Sequence, residues 1–205
     1  MNHKKQVLIE SLKEKGFPKS ILDAFSKVRR EDFIPENLKH RAYEDISLPI
    51  GFLQTISQPY TIAVMLKELK VRKRQRILEV GSGCGYVLAL LSEIVGKKGK
   101  VYGVEVIKEL FEKSEENLKD YENIEIYNRN GNLGLREKTP YDRILISART
   151  GEIPKDLISQ LKSKGILVAP VGNSYIQAIT SFRKENGKLK VINEFPGFLF
   201  VPLVS

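Results

Sequence analysis

Three glycines at alternate positions, Gly81, Gly83 and Gly85, follow Glu79 in the stretch Arg-Ile-Leu-Glu-Val-Gly-Ser-Gly-Cys-Gly-Tyr at 76–86. Lacking Cβ, such positions take φ > 0 and let a ligand come close to the main chain, while the N–H groups of a helix starting there point into the same crevice. The spacing is Gly-x-Gly-x-Gly, not the Gly-x-Gly-x-x-Gly of dinucleotide sites, so a nucleotide-like ligand of another kind is implied. Glu105 lies 20 residues beyond Gly85, where a carboxylate at the end of the next strand accepts both hydroxyls of a ribose. A third feature is the strip Gln54-Thr55-Ile56-Ser57-Gln58-Pro59. Ser57 there serves either as the N-cap of a helix that Pro59 opens or as a hydroxyl with chemistry of its own, and the strip alone leaves both open. One cysteine, Cys84, and two histidines, His3 and His40, give no metal-ligand spacing, so no metal is expected.

These residues need elements to hold them. Ile77, Leu78 and Val80 form a short apolar run before the glycines, and Val87, Leu88, Leu90, Leu91, Ile94 and Val95 recur at helical spacing after them until Gly96, which predicts strand, turn, helix. Strands at 100–106, 124–127, 142–147 and 165–171 alternate with helices at 108–119 and 154–161. The alternation then stops in two β-like runs, 175–183 and 188–194, joined by Lys-Glu-Asn-Gly, a hairpin signal. The reading is an α/β chain with a mostly parallel twisted sheet, an antiparallel C-terminal edge, and ligands at the carboxyl ends of the strands. Upstream, helices at 4–15 and from Pro18, with Ile21, Leu22, Phe25 and Val28 on one face, are expected to cap one edge of the sheet. The tract from Arg30 to Gly51 shows no clear period and reads as a long loop, which in a compact domain is usually functional.

The chain of 205 residues suits one well-buried core. Hydrophobic residues at 41% and charged residues at 29% fit a soluble globular protein, and no apolar run approaches the roughly 18 residues of a membrane span. The basic start Met-Asn-His-Lys-Lys runs into an amphipathic, charged segment, so a signal peptide is not expected. A single cysteine excludes an intramolecular disulfide and points to the cytoplasm. The net charge of +9 favours anionic partners at long range, but lysines interspersed with glutamates describe an ordinary solvated surface. The dense basic run at 70–76 precedes a core strand and reads as a solvated loop.

The glycine turn with Glu79 before it resembles the S-adenosylmethionine site of Rossmann-like methyltransferases. A closer resemblance runs along nearly the whole chain, to the protein-L-isoaspartate O-methyltransferase family. It is carried by Val28-Arg29-Arg30-Glu31-Asp32-Phe33-Ile34-Pro35, Ala42-Tyr43-Glu44-Asp45, Gln54-Thr55-Ile56-Ser57-Gln58-Pro59, Leu78-Glu79-Val80-Gly81-Ser82-Gly83, Gly103-Val104-Glu105, Tyr141-Asp142-Arg143-Ile144 and Phe200-Val201-Pro202-Leu203. The Thr-Ile-Ser-Gln-Pro stretch is the most specific of these. The resemblance implies a Rossmann-like S-adenosylmethionine-dependent methyltransferase fold in one domain, with 1–70 a helical, substrate-side extension and 71–205 the cofactor-binding core. It gives Ser57 the catalytic role, substrate contacts to Gln54, Thr55 and Ile56, and cofactor contacts to Glu79, Gly81, Ser82, Gly83, Gly85, Glu105, Asn130 and Gly131. The expected partners are isoaspartyl proteins and peptides, with no nucleic acid, no membrane and a monomeric state. Two positions depart from the family: Arg129-Asn130-Gly131, where Gly-Asp-Gly is usual, and Ser147-Ala148-Arg149-Thr150, where small residues prevail.

The implied chemistry suits the inventory. Methyl transfer from a sulfonium to a carboxylate uses an acceptor already ionised at pH 7 and needs no general base, so the absence of a histidine or carboxylate pair is consistent. Alignment and desolvation remain to be supplied, and alignment alone can be worth about 7 to 11 kcal/mol. Two rivals share the fold. A nucleic-acid methyltransferase would draw on the +9 charge, and a non-catalytic cofactor-binding adaptor would account for Asn130 and Arg149.

Overall fold

The computed structural model describes residues 3–204; Met1 and Asn2, the first two residues of the basic start, and Ser205 lie outside them. Helices α1 (His3–Glu14) and α2 (Lys19–Lys27) lead to a short hairpin, β1 (Leu48–Gly51) and β2 (Gln54–Ile56), and then to α3 (Pro59–Leu69). Alternation follows through β3 (Arg76–Val80), α4 (Tyr86–Val95), β4 (Lys100–Glu105), α5 (Lys108–Asn117), β5 (Ile124–Asn128), β6 (Tyr141–Ile146), α6 (Lys155–Gln160) and β7 (Leu161–Gly172). Strands β8 (Gln177–Glu185) and β9 (Lys188–Pro196) close the series.

Seven strands make one sheet in the order β5-β4-β3-β6-β7-β8-β9. It is parallel from β5 through β7 and antiparallel for β7-β8-β9. The β8–β9 turn places Asn186 and Gly187 at φ 50° and 78°, the left-handed pair that suits a two-residue hairpin. After β3 the chain builds outward to β4 and β5, then returns to add β6 on β3's other side. The crevice at the carboxyl end of β3 is therefore the switch point where an open α/β sheet receives its ligand.

Strand periodicity sends alternate residues of β3 to opposite faces. Ile77 joins the core shared with α1 to α5, while Leu78 and Val80 join the core shared with Tyr102, Tyr141, Ile144 and Leu157. Glu79 keeps step with Ile77, so its carboxyl points into the first, apolar side.

Three expectations are corrected. The first two helices do not cap a sheet edge: α2 packs on α4, and α1 packs on α2. The reason is that α4 is apolar nearly all round, with Tyr86, Leu88, Ala89, Leu90, Leu91, Ile94 and Val95 buried, so its outer side needs cover that the sheet cannot give. The tract after Arg30 is not an open loop but two 3-10 turns, Arg30–Phe33 and Glu36–Arg41, followed by the β1–β2 hairpin; pieces this short are below the length at which periodicity registers. Ser57 is not the N-cap of α3. Gln58 holds that position without a side-chain bond, and a cap comes from outside the helix, where Asp45 Oδ1 accepts from Tyr60 N at 2.8 Å.

Candidate active site

The carboxyl ends of β3 and β4 bring Glu79 and Glu105 to the glycine turn. Gly81, Gly83 and Gly85 have φ of 75°, 53° and 87°, as a turn this tight requires. A Cβ on Gly85 would come within 2.6 Å of Leu118 Cδ1, so that glycine also lets α5 close against the turn.

The turn's donors are mostly taken. Gly81 N and Ser82 N both donate to Val104 O, at 2.9 and 3.2 Å, and Gly85 N donates to Ser82 O at 2.9 Å. Gly83 N donates to Glu105 Oε2 at 2.8 Å, and Ile107 N to Glu105 Oε1 at 2.9 Å. The N–H groups of Gly81, Ser82, Gly83 and Gly85 are therefore occupied within the protein. What the turn leaves open are side-chain atoms. Glu79 Oε1 accepts from Ser147 Oγ at 2.6 Å, but Glu79 Oε2 and Ser82 Oγ are buried without a partner. Burial pushes the Glu79 carboxyl up to about 8; the Ser147 hydrogen bond pulls it down and the Glu105 charge adds to the rise. An unpartnered buried carboxylate oxygen costs about 1 to 3 kcal/mol or more and calls for a donor or a cation.

Two small cavities meet here, of about 40 and 50 Å³. One is lined by Glu79, Ser82, Ile56, Ser57 and Cys84, the other by Glu105, Gly131, Gln54 and the returning segment 201–204, and they share Thr55, Gly81, Gly83 and Ser147. A wider chamber of about 530 Å³ leads outward from Ser57, Thr55 and Ser147 past Gln177 and Phe200. Ser57 thus touches both the inner cavity and the open one.

The strip that carries Ser57 is held from behind. Arg30, fully buried, donates through Nη1 to Ala42 O at 2.7 Å and through Nη2 to Ile46 O and Ser57 O at 3.0 and 3.1 Å, with a longer contact to Glu44 O at 3.5 Å. Its charge meets carbonyl dipoles rather than a carboxylate, and desolvation lowers its pKa. At the front, Phe52 and Leu53 form the β1–β2 turn at φ 54° and 58°, a strained conformation for bulky side chains, and Leu53 is 96% exposed.

The expected site residues divide as follows. Ser57, Gln54, Thr55, Ile56, Glu79, Gly81, Ser82, Gly83, Glu105 and Gly131 line the two inner cavities. Gly85 shapes the turn from behind. Asn130 does not line them: its Oδ1 accepts from Asn132 N at 2.9 Å and caps the 3-10 turn 131–133. Arg149 contributes main chain, its N donating to Val201 O at 2.8 Å and its O accepting from Leu203 N at 2.9 Å, which ties the end of the chain over the crevice. Three participants carried no assigned role in the sequence reading: Arg30, Ser147 and the segment 201–204. Arg30 lies in a quoted motif, yet nothing in its neighbours signals four carbonyls gathered from 42–57. Among the described residues no group of His, Cys, Asp or Glu has the arrangement of a metal site.

The residues present fit S-adenosylmethionine better than a phosphate ligand. That molecule carries an ammonium and a sulfonium, and the open valence beside the turn belongs to a buried carboxyl. Comparisons agree. The family model described as protein-L-isoaspartate(D-aspartate) O-methyltransferase matches residues 2–205. The protein-L-isoaspartate O-methyltransferase of Thermosipho melanesiensis is 39% identical, over 96% of this chain and 100% of its own. A solved protein-L-isoaspartate O-methyltransferase superposes with a TM-score of 0.89 at 29% identity, covering 96% of this chain and 65% of that longer one. A structure from Plasmodium falciparum, described as a protein-L-isoaspartate O-methyltransferase in complex with S-adenosyl-L-homocysteine, gives 0.85 at 28% identity over 100% and 99% of the two chains.

Proposed function

The chain belongs to the protein-L-isoaspartate(D-aspartate) O-methyltransferase family, and from that membership and the geometry of its crevice we propose that it methylates the free carboxylate of L-isoaspartyl residues in damaged proteins and peptides, using S-adenosylmethionine. When bound, that cofactor supplies an electrophilic methyl group on a positively charged sulfur. Glu79 and Ser82 offer the acceptor and hydroxyl that its ammonium needs, and Glu105 offers carboxylate lone pairs to its ribose, since each oxygen now accepts only one backbone N–H.

The acceptor is a main-chain α-carboxylate, ionised well below pH 7. Its oxygen would be presented in line to the methyl carbon of the bound cofactor, whose sulfur would leave with the bond's electron pair, so no side chain here has to take or give a proton. The protein's share is therefore placement. Ser57 orients the carboxylate by a hydroxyl hydrogen bond, the Gln54–Ile56 strand supplies backbone contacts to an acceptor whose extra methylene lies in the main chain, and Arg30 fixes the strip through the Ser57 carbonyl. The observation that carries the reading is the position of Ser57 at the junction of the small cavity that holds Glu79 and Ser82 and the larger chamber that leads outward.

We also assign the enzyme to the cytoplasm, on the single buried Cys84, and to a monomeric state, which sedimentation equilibrium checks. Among the described residues no helix is long and apolar enough to cross a membrane. The test of function is transfer of labelled methyl to an isoaspartyl peptide and not to its aspartyl twin, with label lost in mild alkali as a carboxyl ester requires. Ser57→Ala should slow transfer about tenfold or more while leaving cofactor affinity near wild type. Equal labelling of both peptides, or alkali-stable label in RNA, would overturn it.

A further inference from the structure

The outer chamber does not end at Ser57. It continues over Gln58, Gly197 and Phe198 into a second open pocket of about 530 Å³. The floor of this second pocket is aromatic. Tyr60 and Phe198 stack at 6.3 Å with an interplanar angle of 21°, and Phe17 meets Tyr60 edge-on at 5.8 Å. Two exposed lysines stand on that floor, Lys15 Nζ 5.7 Å from the Tyr60 centroid and Lys67 Nζ 5.5 Å from the Phe17 centroid. Neither ammonium is within ion-pair distance of a carboxylate among the described residues. The carboxylate that also lines the pocket, Glu68, is buried and turned to the core, its Oε2 accepting from Ser181 Oγ at 3.2 Å and from Asn193 Nδ2 at 2.8 Å.

We propose that this pocket is a subsite for the carboxylate side chain of a glutamate or aspartate that flanks the isoaspartyl residue in the substrate. The proposal rests on the methyl-transfer reading above and adds to it a sequence preference. An acidic side chain lays its methylenes on the Tyr60 and Phe198 rings and its carboxylate between two ammonium groups held over aromatic faces. A basic side chain would meet two like charges. Three residue steps separate Ser57 from Tyr60, so their Cα atoms are at most about 11 Å apart, and an extended peptide covers that span in about three residues. The preference therefore falls about two or three positions from the isoaspartate, on one side of it only, because the groove leaves Ser57 toward Gln58 in one direction.

The experiment is a set of synthetic isoaspartyl peptides in which Gln, Glu, Lys and Phe are scanned through three positions on either side, with initial rates of methyl transfer measured at saturating S-adenosylmethionine. Glu at one position should lower KM about fivefold relative to Gln, Lys there should raise it by a similar factor, and both effects should shrink in 0.5 M salt. In the double variant Lys15→Gln, Lys67→Gln the Glu and Lys peptides should converge on the Gln peptide, whose own kcat and KM stay within about twofold of wild type. Convergence leaves the subsite standing. A Glu preference that survives in the double variant, a Phe preference in place of Glu, or flat KM values across the scan would each overturn it while methyl transfer itself stands. Absence of label in every isoaspartyl peptide would instead overturn the transfer reading, and the subsite with it.

Discussion

Glu79 is the group whose removal tells most. Its carboxyl is fully buried, has one oxygen without a partner, and is pushed by burial from the ordinary 4.5 to about 8. An acid whose folded pKa is raised holds its proton in the native state over a window, here about 4.5 to 8, in which the unfolded chain has already lost it. Folding takes up a proton there, so stability falls as pH rises through the window and levels off above about 8. A displacement of about 3.5 units at 1.36 kcal/mol each is worth about 5 kcal/mol as an upper bound, and relaxation of the site reduces it to about 2 to 5. Glu79→Gln removes the ionisation but keeps the shape. At pH 9 it should be more stable than wild type by that amount, an increase in Tm of about 5 to 15 °C at this chain length, whereas at pH 5 the two proteins should melt together. A cationic ligand brought against Glu79 reverses the balance and expels the proton. S-adenosylmethionine binding should therefore release close to one proton at pH 6 to 7, seen as a buffer-dependent heat in calorimetry, and the release should vanish in Glu79→Gln. Parallel melting curves for the two proteins from pH 5 to 9, or equal proton release, would refute the placement of this carboxyl against the cofactor's charge.

Other substitutions probe other parts of the crevice. Glu105→Ala removes acceptors for the ribose and also frees Gly83 N and Ile107 N; cofactor affinity measured by calorimetry should fall at least about 100-fold. Asn130→Asp retains the acceptor for Asn132 N and should bind cofactor as tightly as wild type or more so, and a clear loss of affinity would contradict a role for this residue as an acceptor only. Arg30→Lys preserves the charge but replaces two separated donor nitrogens with one, which cannot reach Ala42 O and the Ile46 and Ser57 carbonyls from both positions at once; the urea midpoint should drop by the equivalent of about 1 to 3 kcal/mol, and methyl transfer should fall more than cofactor affinity.

Much of this was legible in the residues because local rules and global fold agree in the cofactor-binding half. The apolar run 77–80, the alternate glycines and the period of 87–95 each point to one structure, and β3, turn and α4 follow them. The Asn-Gly pair of the last hairpin likewise forms the turn its chemistry demands. The N-terminal part was less transparent since its order comes from distant bonds. Asp45 capping α3, Arg30 gathering carbonyls from 42–57, and the segment 201–203 pairing with Arg149 join residues that no window of sequence sets side by side. The partners of the glycine turn's own N–H groups were not legible for a related reason. Whether an N–H faces a ligand or a neighbouring carbonyl depends on the register of β4 against β3, and that register hands Gly81 N and Ser82 N to Val104 O.

The charges of the reaction set what the crevice has to supply. Methyl transfer from a cation to an anion destroys both charges, so its transition state is less polar than its reactants, and water, which stabilises separated charges, slows it. A protein catalysing such a step has to attract both ions and then keep solvent from them. We assign Glu79, protonated at neutral pH until a cation is brought against it, to the side of the cation, and Arg30 to the back of the strip that would hold the anion, linked to it through the Ser57 carbonyl. Both side chains are buried, and the cavity of about 40 Å³ beside Glu79 is walled largely by Ile50, Ile56, Ile62, Met65 and Leu145. The cost of burying a carboxyl and a guanidinium about this strip is the physical counterpart of a reaction that consumes one positive and one negative charge in a single step.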